Sequence, residues 1–166
     1  MNFGKMPIAN GFLEKKDFNK EYYFNMEVGF SEDLSLFQLN EHPEPEQMFN
    51  DKYPFFSGSS EYMKNHFSKY ADYIKKNHLS NKSKIIEIGS NDGTFLKNFK
   101  NSENEILGFE PSKNVALKAQ SFQIPTLNQF FNVKNVKNLK NFLGNTDVIC
   151  ASNVICHIPN LDDLIK

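Results

Sequence analysis

The run "KIIEIGSNDGTFL", residues 84–96, constrains the fold of this chain more than any other stretch. Its isoleucine-rich first half reads as a short buried strand. Gly89 follows directly and can take a backbone angle that other residues resist. Gly93, four residues on, falls where a helix starts and a side chain would crowd sheet or ligand. Strand, glycine turn and helix in that order open a parallel sheet whose ligands sit beyond the carboxyl ends of its strands. The pattern Glu87-x-Gly89-x-Asn91-x-Gly93 is neither the G-x-G-x-x-G of dinucleotide binding nor a P-loop.

Downstream the pattern alternates. "EILGF" is a strand, "KNVALKAQ" a helix opened by Ser112, "IPTL" a weak short strand, and "VKNVKNLKNFL" a helix ended by Gly144. "DVICAS" is an apolar strand and "LDDLIK" a helix start capped by Asn160. Upstream, Met63, Phe67, Tyr70 and Ile74 recur at three-to-four spacing and predict a helix over residues 60–77, capped by Ser59 or Ser60. Strands alternating with helices predict an α/β fold, a parallel sheet with helices on both faces. Only four strands are legible where a doubly wound domain normally has five or more, so the expectation is an incomplete chain. Nearer the start, "EYYFNMEVGF" and "LSLFQL" flank the turn "SED" and predict a small β-hairpin, and "NEHPEPEQ" reads as a linker. The division expected is residues 1–47 and 48–166.

Charge narrows the ligand. With 19 basic and 20 acidic residues the formal net charge is -1, which advertises neither nucleic acid nor anionic lipid. No run has the length of a membrane span and the N-terminus lacks a signal-peptide core, so a cytoplasmic location is expected. Cys150 and Cys156 share one apolar segment and read as buried free thiols. Within the glycine turn, Asp92 stands at the helix start and Glu87 lies just before the first glycine. A pyrophosphate wants that helix end free of negative charge. A ligand that is cationic there, as S-adenosylmethionine is with its sulfonium and ammonium, reverses the sign. Glu110, at the end of the second strand and about 20 residues beyond the loop, is placed to bind both ribose hydroxyls, in S-adenosylmethionine as in NAD. The loop and Glu110 together favour the methyl donor.

With these residues the chain resembles the sugar C-methyltransferases, Rossmann-like class I S-adenosylmethionine-dependent enzymes that methylate a carbon of nucleotide-linked keto-deoxysugars. The resemblance runs through "GKMPIANGFL", "YPFFSGSSEYMKNHF", "IIEIGSNDGTFL", "ILGFEPSKNVA" and "ICASNVICHIPNLDDL". It implies that Glu87, Gly89, Asn91 and Gly93 form the loop at the methionine end, that Glu110 holds the ribose, and that "LNQFF" borders the adenine. It implies that Asn153 lines the cleft at the fourth strand and that Tyr53 and His157 lie near the sugar as acid–base or orienting groups. Carbon methylation beside a ketone begins with removal of a proton; a histidine can take it and a tyrosine can hydrogen-bond the developing enolate oxygen.

The chain departs from that family at both ends. Family members carry an N-terminal zinc module with paired Cys-x-x-Cys motifs. Here one pair would fall before Met1 and the other falls on Ser31 and Leu34, so no structural zinc is expected. The remaining strands and the C-terminal domain of the family are not in this sequence. The competing expectations are an inactive S-adenosylmethionine-binding fragment and a nicotinamide-dependent oxidoreductase. A nucleic-acid methyltransferase is disfavoured by charge and by "ASNVICHI" at the fourth strand. The partner expected is a small nucleotide-sugar, with no nucleic acid or membrane, and self-association through an exposed sheet edge.

Overall fold

The computed structural model describes residues 1–100 and 102–166. They form two units, Met1–Phe49 and Asn50–Lys166. The first holds an antiparallel sheet of β1 (Asn2–Pro7), β2 (Tyr23–Ser31) and β3 (Leu36–Leu39), in the order β1-β2-β3. The expected hairpin is β2–β3, with Phe30 opposite Phe37. It gains a third strand, β1, whose sequence shows no apolar alternation and whose residues are all exposed. Gly4, at φ +78, marks the irregularity in the pairing of β1 with β2 between Asn2 and Lys5. Among the described residues of this unit, Val28 is the one buried hydrophobic side chain. The proline-rich linker ends in one helical turn, α1 (Pro45–Met48), with Pro45 in its first turn.

The second unit is the α/β part. Helix α2 (Glu61–His78) is capped by the Ser60 hydroxyl, which accepts from the Met63 amide at 3.3 Å. It buries Phe67, Ala71 and Ile74. Four parallel strands follow: β4 (Lys84–Ile88), β5 (Glu105–Phe109), β6 (Thr126–Leu127) and β7 (Val148–Ala151). Their order is β6-β5-β4-β7. The chain thus steps outward from β4 to β6, then returns to the other side of β4. That reversal creates a switch point at the carboxyl ends of β4 and β7, where open α/β sheets bind their ligands.

Both faces of the sheet are covered over β4 and β5, while Ile149 on the edge strand β7 is 55% exposed. On one, Ile85 and Cys150 pack with α2, with Phe95, Leu96 and Phe99, and with Ala119 of α3 (Lys113–Ser121). On the other, Ile86, Leu107 and Phe109 pack under Leu127, Phe131 and Val136, the last in α4 (Val133–Val136). Two expected helices are shorter than the pattern predicts. "TFLKNFK" forms a single 3-10 turn, Leu96–Phe99, because the Asn98 side chain donates to the carbonyls of Thr94 and Phe95 and so diverts acceptors that an α-helix would use. The helix expected to run to Gly144 is the single turn α4, followed by turns. Asn132 caps it, Asn135 donates back to the Phe130 carbonyl and Asn138 to that of Lys134. Asparagine repeated through the segment favours such local bonds over helix propagation. Helix α5 (Leu161–Leu164) starts as expected, with Asn160 Oδ1 accepting from the Asp163 amide at 3.0 Å.

Candidate active site

The turn after β4 is built by close approach. Gly89 has φ +65, and a Cβ there would lie 2.4 Å from Val154 Cγ2. Gly93 has φ +76, and a Cβ there would press on Ile124 at 3.0 Å. Both glycines therefore combine a left-handed backbone with a lack of space. Between them Asn91, at φ +51, takes the left-handed conformation that asparagine tolerates better than most residues. In the neighbouring strand Gly108 lets the loop lie down: a Cβ there would be 2.3 Å from Ser90 Oγ.

Three carboxylates meet at this turn. Glu87, Asp92 and Glu110 are each at most 5% exposed. Glu110 is held at both oxygens, Oε1 accepting from the Ser112 amide at 2.7 Å and Oε2 from the Asn91 amide at 3.0 Å. Its carbonyl accepts from Asn128 Nδ2, which also holds the Pro111 carbonyl, so the acid sits on a fixed corner. Asp92 accepts from the Gly58 amide at 2.9 Å and from the Thr94 hydroxyl at 2.6 Å. Glu87 differs, for its Oε2 is buried and has no hydrogen-bond partner. Burial, then the charges of Glu110 and Asp92, push its carboxyl well above the ordinary range. Burial also raises Glu110, against the opposing effect of its amide donors. A buried carboxyl oxygen without a partner among acids is one that a positive charge or a hydrogen-bond donor would satisfy.

The segment before α2 runs beside this turn. Ser57 N–H donates to Asn91 Oδ1 at 2.7 Å, and Asn91 Nδ2 donates to the Phe55 carbonyl at 3.1 Å. The Tyr53 carbonyl accepts from Asn114 Nδ2 at 2.8 Å. The Tyr53 ring is half-buried, packs edge-on against Phe55, and has its phenol pKa raised by burial and by the charge of Glu110. Tyr53 therefore belongs to the same neighbourhood as Glu110, although more than 50 residues separate them in sequence.

From the other side comes the exit of β7. Asn153, at φ +56, turns the chain so that Val154 lies against Gly89. Asn153 and His157 are both exposed, His157 in a 3-10 turn closed by its amide on the Val154 carbonyl. The Cys156 thiol lies 4.0 Å from Asn153 Oδ1. Cys150, opposite Glu87 in register, is the buried free thiol expected, whereas Cys156 is a free thiol that is exposed rather than buried, because it lies beyond β7 in the 3-10 turn Ile155–His157. Beside this exit a cleft of about 430 Å³ runs past Tyr70, Ile88, Phe131 and Ile155.

The structure thus gathers Glu87, Gly89, Asn91, Gly93 and Glu110 at the carboxyl ends of β4 and β5, and brings the Asn153 loop onto them through Val154. Sequence reasoning does not single out Asn114, Asn128 or the amides of Ser57 and Gly58, which hold the site together. The Ser-Gly-Ser run is the one local signal: a Cβ on Gly58 would be 2.7 Å from Asp92 Oδ2 and 2.8 Å from Thr94 Oγ1. Among the described residues no group of three or more His, Cys, Asp or Glu side chains is arranged to hold a metal ion. Likewise no helix is long and apolar enough to cross a membrane.

Residues 1–49 match a family described as "Putative zinc binding domain", although that segment contains no cysteine. The chain is 22% identical over 168 residues to the C-methyltransferase NovU of Streptomyces niveus. The match covers all of this chain and 40% of that protein, so the chain spans well under half the length of this relative. Residues 61–166, more than half of the chain, match the methyltransferase domain family. Those residues hold the parallel sheet, both glycines and all three carboxylates, and the chain belongs to the methyltransferase domain family.

Proposed function

We propose that this chain forms the S-adenosylmethionine-binding part of a C-methyltransferase that acts on a nucleotide-linked keto-deoxysugar. The observation that carries the reading is the orphan carboxyl of Glu87 beneath a glycine turn that two further acids flank. An acidic turn repels the pyrophosphate of a dinucleotide and attracts a ligand that is cationic at that end. When bound, S-adenosylmethionine supplies an electrophilic methyl group on a sulfonium centre. Glu87 would hold the positive end of the ligand. Glu110 would accept the ribose hydroxyls, because each of its oxygens has spent one lone pair on an amide and retains another. Gly89 and Gly93 would keep the backbone close to the ligand, and Asn153 would line the cleft.

The substrate side rests on Tyr53 and His157. Removal of a proton from a carbon beside a ketone leaves negative charge on the carbonyl oxygen. Tyr53 would donate a hydrogen bond to that oxygen, and His157 would take the proton. The C-methyltransferase relative supports carbon as the atom methylated. The test is transfer of a labelled methyl group from S-adenosylmethionine to a 4-keto-6-deoxy nucleotide-sugar. Label on a sugar carbon, abolished in H157A and reduced in Y53F, supports the reading. Label on oxygen or nitrogen, or full activity of H157A, contradicts it.

A further inference from the structure

The segment over residues 53–58 carries no strand or α-helix, only a 3-10 turn at Ser57–Ser59, yet its position is pinned. Asn91 reaches it with both ends of one side-chain amide: Oδ1 accepts from Ser57 N–H and Nδ2 donates to the Phe55 carbonyl. Asp92 takes the next amide, Gly58 N–H. At the far end Asn114, in the first turn of α3, holds the Tyr53 carbonyl. Meanwhile the Asn91 backbone amide is bonded to Glu110. A single residue therefore joins the acid at the end of β5 to the segment that bears Tyr53.

The chemistry of that residue is specific. An amide side chain donates and accepts at once, whereas an aspartate at neutral pH only accepts and a serine is too short to bridge both groups. Asparagine also tolerates the φ of +51 that the loop imposes. A residue needed only for the turn could be glycine; here the side-chain oxygen and the side-chain amino group both engage the 53–58 segment.

We propose that Asn91 is a positioning residue: it latches the 53–58 segment onto the glycine turn and so sets where Tyr53 stands beside the cofactor loop. This rests on the reading that the turn binds S-adenosylmethionine. The latch itself is a property of the unliganded chain and can be tested apart from that reading.

The experiment is amide exchange by NMR on the full chain, with calorimetric titration by S-adenosylhomocysteine. Asn91→Gly keeps the positive φ and the backbone donor to Glu110 and deletes both latch bonds. Its Ser57 amide should exchange at least about fivefold faster, as expected for one lost hydrogen bond. Ile86 and Leu107, in the sheet core, should exchange unchanged, and the Tyr53 ring signals, identified with Y53F, should shift. Unchanged exchange at Ser57 overturns the latch. Affinity lost more than about tenfold with exchange unchanged overturns it too, because Asn91 would then be a ligand contact. Absence of any binding by the native chain would sink the cofactor reading, while the exchange comparison would still decide the latch.

Ser57→Pro removes the same hydrogen bond from the other partner, should Asn91→Gly not fold. Ser57 opens its 3-10 turn, and Phe56 already has the extended backbone, φ −122 and ψ 115, that precedes proline. The Tyr53 ring signals should shift in S57P. An unmoved Tyr53 contradicts the proposal.

Discussion

The two sheets of this protein are held by different means. The antiparallel sheet of residues 1–49 relies on backbone pairing, with Val28 as its one buried apolar side chain among the described residues. The central strands of the parallel sheet in the second unit lie between apolar layers on both faces, and this unit buries whole phenylalanines such as Phe95, Phe99 and Phe109. A three-stranded sheet with so little buried surface is marginal on its own. Its match to a zinc-binding family is instructive here, since metal supplies folding energy to such modules and residues 1–49 contain no cysteine. The second unit obtains from its core what the first does not, and can place buried acids at its strand ends.

The largest effect that would break this contrast is expected at Gly89. Alanine there meets Val154 Cγ2 at 2.4 Å and must hold a φ of +65, a combination that costs at least about 1–3 kcal/mol in strain alone. Urea denaturation of G89A should show the second unit destabilised, and the variant should not bind S-adenosylhomocysteine. Native stability with native binding would show that the turn is not built by close packing.

Glu87 sharpens the contrast through pH. Its carboxyl is raised above the usual value of 4.5 in the folded chain, so the folded state holds a proton that the unfolded state releases. That contribution to stability is fully present below about pH 4.5 and is lost as pH rises through the elevated folded value. The facing titratable groups are Glu110, Asp92, Tyr70 and Cys150, and ionised acids among them steepen the loss. Glu87→Gln should flatten the decline in urea midpoint as pH rises above about 4.5. An identical slope in native and variant chains would mean that Glu87 is not the buried proton carrier.

Val28→Ala probes the weaker sheet. Loss of two methyl groups from a buried valine costs about 1–2 kcal/mol. Exchange of β1–β3 amides should accelerate while β4 and β5 amides stay protected; uniform acceleration would show that the two units unfold as one. The smallest effect is expected from metal. Zinc or a chelator should leave the melting temperature within about 1 °C, because a sheet without thiolates has no soft ligand set to offer. A zinc-dependent rise of several degrees would reveal a ligand set of another kind.

The parts of this architecture that were legible in the sequence are those with a strong local cause. The face Met63–Phe67–Tyr70–Ile74 and the Ser60 cap predict α2 within one residue at either end, because periodicity and capping act over one or two turns. The short buried strands were readable from their β-branched runs. Strand β1 was not, since its pairing with β2 depends on partners some 20 residues away and its own residues are exposed. The lysine- and asparagine-rich segment after Phe131 looked helical by the spacing of its apolar residues, and local asparagine bonds broke the helix. In the site, acids and glycines announce themselves by type and spacing. The asparagines that organise them do not: Asn91, Asn114 and Asn128 act on carbonyls and amides up to 61 residues distant, a relation that no local pattern carries.

The acidic glycine turn is either a ligand site or a structural turn alone. Calorimetric titration of the chain with S-adenosylhomocysteine, repeated with Glu110→Ala, tests this most directly. Binding by the native chain is predicted, weakened at least about tenfold in the variant through loss of a charged acceptor of the ribose hydroxyls. A folded native chain that takes up no heat, or binding that Glu110→Ala leaves unchanged, would contradict it.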